Sequence, residues 1–327
     1  MFKLVIKRCL AGVPLLILLS LLTFTLLRAL PGDPVEVFIG ASEKDLSTEQ
    51  KQLLRQELGL DKSLPEQYFC WLTQTMHGNL GCSYKDGRPV LTLIEERLPA
   101  TVALVGVALV LALIIGGVWG IFMAWLAYAK KAGYLEELSL AAAYALYSTP
   151  SFWLGFLLIA WIGQSGMRQI HLLGVHAPGD NGISFATVLL PALVLATRRA
   201  AKLGLILRSS MLDEVKKDYV LAVRAKGMNT AKTLIKHVGK NSLAPTINLV
   251  ALSVPALIGG SVLVETVFAW PGMGRLAVEA TFGRNYPILL ALTIIYGTLV
   301  ILANLGADLL QMMIDPRLRD RLDGQTL

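Results

Sequence analysis

The charged residues of this sequence are gathered into islands between apolar runs long enough to cross a hydrocarbon core. Such a core is about 30 Å thick and takes roughly 20 helical residues. Six runs qualify, at about residues 9–30, 100–128, 138–163, 185–207, 246–268 and 288–314. Length selects helix over strand, because a barrel strand is about ten residues of alternating polarity. Arg198, Arg199 and Lys202 make the lower half of the fourth run amphipathic. Apolar residues are 54% of the chain and charged ones 16%, which excludes two ordinary water-soluble domains.

Lys3, Lys7 and Arg8 precede the first run, as in a secretory leader. The run is longer than the 7 to 15 or so residues of a leader's apolar region, it carries Arg28, and "ALPGDP" is no A-x-A cleavage site. It is expected to stay as a first helix.

Basic residues set the orientation. With the N-terminus inside, the cytoplasmic segments hold Lys130, Lys131, Arg208, Lys216, Lys217, Arg224, Lys226, Lys232, Lys236, Lys240, Arg317, Arg319 and Arg321, while the short outer loops hold only Arg168, Arg275 and Arg284. Residues 31–98 are outside, with eleven carboxylates beside their basic groups, and loops this long cross largely regardless of charge. The sequence therefore predicts an all-α polytopic membrane protein with six transmembrane helices, N-in and C-in. The net charge of +7 reflects topology rather than nucleic-acid binding. The expected organisation is an N-terminal tail and first helix (1–30), a periplasmic helical loop region (31–98), a transmembrane core (99–314) enclosing a cytoplasmic loop (208–245), and a cytoplasmic tail (315–327).

In the outer region, "STEQKQLLRQELGL" has Ser47 or Thr48 as a cap, Leu53, Leu54 and Leu58 at helical spacing, and Gly59 as a stop. A second helix follows Pro65, with Tyr68, Phe69, Trp71 and Leu72 as an aromatic face for the membrane surface, the other helices or a partner protein. Cys70 and Cys82 share this region and could bridge in an oxidising compartment. With His77, His171 and His176 they match no standard metal-ligand spacing, and Cys9 lies at the inner end of the first helix.

The cytoplasmic loop reads as two short helices and a hinge. Met211, Val215, Tyr219 and Val223 recur at helical spacing, and Gly227 sits where a left-handed cap residue belongs. Asn229 or Thr230 caps "AKTLIKH", with Leu234, Ile235 and Val238 as its apolar face, and Pro245 closes the unit. Ala222, Ala225 and Gly227, flanked by Arg224 and Lys226, leave a close-approach surface suited to docking in a groove of another protein, with a solvated loop as the alternative.

"DYVLAVRAKG" followed by "KHVGKNSLAP" resembles the cytoplasmic EAA loop of ABC importer permeases, in the branch that handles dipeptides, oligopeptides and nickel. In the family's order follow "LPGDPV", "GCSY" before "RPV", "LPAT", "STPSFWLG", "RSSMLDEV", "ETVFAWPGMGRL", "RNYP" and the "DPRLR" tail, covering nearly the whole chain. The resemblance implies a permease of the bacterial inner membrane, translocating peptides or a nickel or other metal chelate. It implies pairing with a similar second permease, two ATPase subunits that bind ATP and Mg, and a periplasmic or lipid-anchored substrate-binding protein. It assigns coupling to the ATPase to Tyr219, Ala222, Arg224, Ala225, Lys226, Gly227, Lys236 and His237. Val220 and Leu221 stand where the wider superfamily's loop begins with a glutamate, and Asn285 where the family usually has aspartate.

No G-x-x-x-x-G-K-[ST] occurs, so the chain has no Walker A loop for ATP phosphates, and no cofactor of its own is expected. Glu265, Asn304 and Asp308 are ionisable or polar groups in the apolar runs, where such groups mark a transport path or anchor packing. Gly116 and Gly120 form a small-x-x-x-small pattern. "GQSG" at 163–166 hints at a serine protease, but Ser165 ends a run and no histidine lies in any span to serve as base. A secondary transporter would need inverted repeats and embedded charged coupling sites. The short segment 164–184 leans toward oligopeptide, glutathione-like or nickel-chelate relatives.

Overall fold

The computed structural model describes residues 2–29, 35, 47–57, 59–129, 133–165, 185–242, 246, 249–250 and 252–314. In chain order the helices are α1 Phe2–Ala29, α2 Thr48–Glu57, α3 Leu64–Met76, α4 Val90–Ala129, α5 Gly133–Ser148, α6 Ser151–Gln164, α7 Phe185–Val215, α8 Asp218–Ala225 and α9 Thr230–Thr233. A π-helical turn, Leu234–Val238, leads into α10 Gly239–Asn241, followed by α11 Ser253–Val267, α12 Met273–Phe282 and α13 Tyr286–Ile314. The chain divides into two units, residues 1–101 with 271–301 and residues 102–270 with 302–327; two of the three boundaries fall inside long helices, α4 and α13, and the third between α11 and α12.

In the first unit α2 and α3 begin where capping chemistry places them. Ser47 and Gln50 exchange backbone-to-side-chain hydrogen bonds of 2.9 and 3.3 Å, which selects Ser47 over Thr48 as the cap of α2. Gly59 follows the helix at φ +63°, the left-handed region that favours glycine. Ser63 and Glu66 form the corresponding box on α3. Tyr68 of α3 is buried against Phe24 of α1 and Leu290 of α13, and its hydroxyl lies 2.9 Å from Ser20 Oγ. A second cluster joins Val90, Leu93 and Ile94 of α4 to Met273, Leu276 and Ala280 of α12 and to Ile288, Ala291 and Leu292 of α13. Helix α4 therefore starts about ten residues before its apolar run, because these three side chains give its polar first turns a buried face.

Two sequence motifs meet in this unit. Asn285 is 4% exposed; its Oδ1 accepts from Tyr84 N–H at 3.3 Å and its Nδ2 donates to Ser83 Oγ at 2.9 Å. The "GCSY" turn is thereby held on "RNYP", and the rings of Tyr84 and Tyr286 meet edge to face at 6.3 Å. The Asn285 amide supplies a donor that an ionised carboxylate lacks. Cys70 and Cys82 are both free, exposed thiols.

In the second unit α7 packs against α5, α6 and α11. A Cβ on Gly116 would lie 2.7 Å from the Ala200 carbonyl, and one on Gly120 2.9 Å from that of Gly204, so the small-residue pattern permits backbone contact of α4 with α7. The third apolar run is not one rod. α5 and α6 meet at an angle of 104°, at Thr149 and Pro150. Proline lacks an amide hydrogen and disfavours helical geometry in the residue before it, so the helix ends there and a new one starts with Pro150 as its cap.

Among the described residues three helices are long and apolar enough to cross a membrane, Leu10–Ala29, Val90–Ala129 and Tyr286–Leu309, or four if the bent pair is one span. α11 is a shorter apolar helix, and α7 carries four basic residues, Arg198, Arg199, Lys202 and Arg208. His171, His176, Arg168, Lys130, Lys131 and the basic tail lie outside the described residues.

Candidate functional site

The 208–242 loop is built on the end of α7. Helix α7 runs on through "RSSMLDEV" and stops at Val215; Lys217 is extended (φ −78°, ψ 147°) and starts α8. This break corrects the single helical register expected over 208–227. Met211 is buried and Val215 and Tyr219 partly so, but the break resets the phase, and Val220 rather than Val223 fills the core of α8.

Beyond α8 the chain turns at Gly227, whose φ of +79° is the left-handed geometry expected of it. Asn229 caps the next helix: its Oδ1 accepts from Ala231 N–H at 3.2 Å and its carbonyl from Thr233 N–H at 2.9 Å. Leu234 and Val238 enter a core with Ala124 of α4, Leu207 and Met211 of α7, and Val220 of α8. Ile235, read from the sequence as part of that face, is instead 60% exposed. The intervening π turn adds a residue to the repeat and alters which side chains point inward.

A carboxylate not singled out in the sequence ties the parts together. Glu214 is buried and accepts from Lys217 Nζ at 2.5 Å and from Tyr219 Oη at 3.0 Å, with the Asn241 side chain also bonded to it. The Lys217 bond holds the Glu214 carboxyl below its ordinary range, with Tyr219 and Asn241 adding to that effect against a desolvation penalty. Burial raises the Tyr219 phenol. One acid thus joins the end of α7, the start of α8 and α10. The i,i+3 spacing of Glu214 and Lys217 was legible; the bonds to Tyr219 and Asn241 depend on the break and the turn. Arg208 of α7 also pairs with Glu136 of α5, and Ser210 Oγ donates to the Ser242 carbonyl at 3.1 Å.

With the inner face so held, the outer face is open. Ala222, Arg224, Ala225, Lys226, Gly227 and Lys236 are exposed, His237 and Tyr219 half-buried. Leu221 is 62% exposed, which with Ile235 puts two large apolar side chains on the outside of the loop. A Cβ at Gly227 would meet nothing within 4 Å. Arg224 is the exception to an outward reading: its Cζ lies 5.4 Å from the ring centre of Tyr128 at the end of α4. Tyr128 Oη is buried with no hydrogen-bond partner among the described residues.

The remaining candidates lie elsewhere. Glu265 is fully buried on α11, with its backbone carbonyl accepting from Trp270 N–H at 2.8 Å, while Asn304 and Asp308 are half-buried one turn apart on α13. Arg275 Nε donates to Glu279 at 2.7 Å, within α12. Ser165 ends α6 and donates to the Ile162 carbonyl at 2.8 Å, an ordinary helix-end bond.

Residues 116–320 match the family described as the inner membrane component of binding-protein-dependent transport systems, and residues 1–105 match the N-terminal region of such membrane components. The chain is 34% identical to the oligopeptide transport system permease protein AppB of Bacillus subtilis, over 96% of this chain and 98% of that one. It is 35% identical to the dipeptide transport system permease protein DppB of Haemophilus influenzae, over 98% and 100%, and 32% identical to DppB of Escherichia coli K12 over the same shares. Among solved structures it resembles a chain of the MetNI methionine ABC transporter in inward-facing conformations, with a TM-score of 0.54 and 17% identity, covering 69% of this chain and 97% of that one. At that identity the likeness concerns the fold alone.

Proposed function

The chain belongs to the family of binding-protein-dependent transport system inner membrane components, and from that membership we propose that it is one permease subunit of an ATP-driven importer of short peptides. A similar second permease completes the pore, two ATPase subunits supply energy, and a substrate-binding protein delivers cargo from outside. The peptide assignment follows its relatives named for oligopeptide and dipeptide transport; a nickel or metallophore chelate is the alternative cargo. The proposed topology is six crossings with both termini in the cytoplasm of a bacterial inner membrane, the bent α5–α6 pair counting as one.

One observation carries the mechanistic reading: the 208–242 loop is packed and bonded on one face and exposed on the other. Its inner face is fixed by the Leu234–Val238 core and the Glu214 bonds. Its outer face offers small residues, Ala222, Ala225 and Gly227, between Leu221 and Ile235. A helix with small residues can sit deep in a groove, and an anchored one transmits displacement to the helices on which it rests. Closure of the ATPases would move α8, and α7 and α4 with it. Tyr219 and Arg224 act in this scheme as inward anchors; Lys226, Lys236 and His237 border the docked face. Glu265, Asn304 and Asp308 are proposed to border the path or hold the helices that form it.

The test is disulfide trapping in the assembled complex. With Ala222→Cys in the permease and cysteines along the ATPase cleft, a cross-link that forms and blocks ATP-driven uptake supports the reading. Absence of any cross-link from Ala222 or Ala225 to the ATPase refutes it.

A further inference from the structure

A cavity of about 370 Å³ lies in the first unit among α1, α3, the 80–84 turn and the start of α13. Its described lining includes two cations, Arg28 and Lys62, and no carboxylate. Arg28 is half-buried; its contact is with an aromatic ring, Cζ lying 5.4 Å from the centre of Phe24, and among the described residues it has no hydrogen bond or ion pair. Of the acids nearest to Lys62 in sequence, Asp61 is exposed and does not line the cavity, and the Glu66 carboxylate accepts from Ser63 N–H at 3.1 Å in the helix cap. A partly desolvated guanidinium without a counter-charge is costly, and an anion in the cavity removes that cost.

The contacts of α1 give the depth of this cavity. Ser20, Phe24 and Arg28 succeed each other at one-turn intervals on one side of α1, about 6 Å apart along the axis. Tyr68 of α3 bonds to Ser20 and packs on Phe24 at 5.5 Å and on Leu290, which lies one turn inside the apolar stretch of α13 beginning at Tyr286. Helix α3 is therefore sunk about one turn below the rim of the apolar helices, and Arg28 stands at the rim, at headgroup level.

The surface of α3 agrees with that depth. Tyr68, Trp71 and Leu72 pack on the Phe24–Leu290 cluster, whereas Pro65, Phe69 and Met76 are exposed along a separate side of the helix. Phe69 is 65% and Met76 81% exposed. An amphipathic helix lying in the interface buries its apolar face by about 5–10 Å, which is the depth given by Tyr68.

We propose that this cavity binds the phosphate of an anionic phospholipid of the outer leaflet, with Arg28 and Lys62 as its ligands and the Pro65–Met76 stripe of α3 among the acyl chains. Arginine grips phosphate oxygens in a bidentate fork and lysine adds a point charge. Among the described residues the lining has no acid to receive the ammonium of a zwitterionic headgroup, which favours a glycerol-type headgroup. The assignment to the outer leaflet rests on the topology proposed above; the site itself does not.

The full-length protein in mild detergent is titrated with short-chain phosphatidylglycerol or phosphatidylcholine, and bound lipid is counted by native mass spectrometry. Wild type should prefer phosphatidylglycerol. Arg28→Gln with Lys62→Gln should weaken that binding about tenfold, the loss of a charge-assisted contact, without changing phosphatidylcholine. Arg28→Lys should keep most of it. Lys62→Gln alone, on an exposed side chain, should give a smaller loss and serves if the double variant does not fold. Equal phosphatidylglycerol binding in wild type and in these glutamine variants refutes the site. Inorganic phosphate that binds as tightly as the lipid, with the same dependence on Arg28, refutes the lipid and assigns a soluble anion. Separately, an impermeant maleimide should label Cys70, which lines the cavity, from outside intact cells carrying Cys9→Ser and Cys82→Ser. Failure to label while lipid selectivity persists refutes the leaflet and the topology alone.

Discussion

Replacing Gly227 separates backbone geometry from side-chain bulk in the 208–242 loop. Gly227 has φ +79°, and an added Cβ meets nothing within 4 Å. In the isolated chain the steric cost of alanine is therefore nil and the conformational cost is the whole effect. For an L-residue in left-handed geometry that cost is about 1–2 kcal/mol, higher for a β-branched residue and smaller for asparagine. At about 1.4 kcal/mol per tenfold, alanine lowers the population of the native turn by roughly five- to thirtyfold and valine by more. Uptake by the reconstituted complex, measured at limiting ATPase, should rank Gly227 first, then Gly227→Asn, Gly227→Ala and Gly227→Val. Saturating ATPase should recover part of the loss, because docking selects the native turn. Valine equal to wild type would refute the need for this turn. Asparagine as damaging as valine would show that the docked partner fills the space over Gly227, so that bulk rather than φ decides.

Three further outcomes follow from the same contacts. Glu214 titrates lower in the folded loop than in the unfolded chain, so its anchoring is complete above the unfolded carboxylate value and lost as pH falls through the folded one. Thermal melts of the wild type should lose stability on acidification below about pH 5, and Glu214→Gln should flatten that part of the profile; identical profiles would refute the anchor. Arg224→Gln and Tyr128→Leu should each weaken the loop by about 0.5–1 kcal/mol, as expected for a cation–π pair at an exposed site, and the double variant should cost less than their sum; strict additivity would show that the pair does not interact. Asn285→Leu removes the acceptor of Tyr84 N–H and one of the two donors to the Ser83 hydroxyl, which keeps Lys85 N–H, and should cost about 1–3 kcal/mol, read by chemical denaturation in detergent, whereas no loss would mean that water replaces the amide.

How far the sequence could be read depended on the range of the interactions involved. The starts of α2 and α3 and the turn at Gly227 were legible because caps and left-handed turns are set by neighbours within a few residues. The Gly116 and Gly120 pattern correctly foresaw a close helix crossing, though not that Ala200 and Gly204 supply the other side. The elbow at Pro150 was missed because apolar length measures how much hydrocarbon a run can match, not whether the run is straight. Val220 replaced Val223 because the extended residue Lys217 resets the helical phase, a local event with no strong sequence mark. Arg224, grouped by its charge with the docking face, turns to Tyr128 nearly a hundred residues earlier, and no periodicity reports that. Similarly, Asn285 stood out only as a departure until Ser83 and Tyr84 supplied its partners.

Those partners lie 201 and 202 residues from Asn285 along the chain. At about 5–20 residues per second, a ribosome needs roughly 10 to 40 s to make the stretch between them. Throughout that interval the newly inserted first helix has neither Leu290 nor the Asn285 latch beside it. Assembly of the N-terminal half thus waits on nearly the last segment to be synthesised, and a nascent chain that stalls before α13 presents an unfinished surface to the membrane's quality-control proteases.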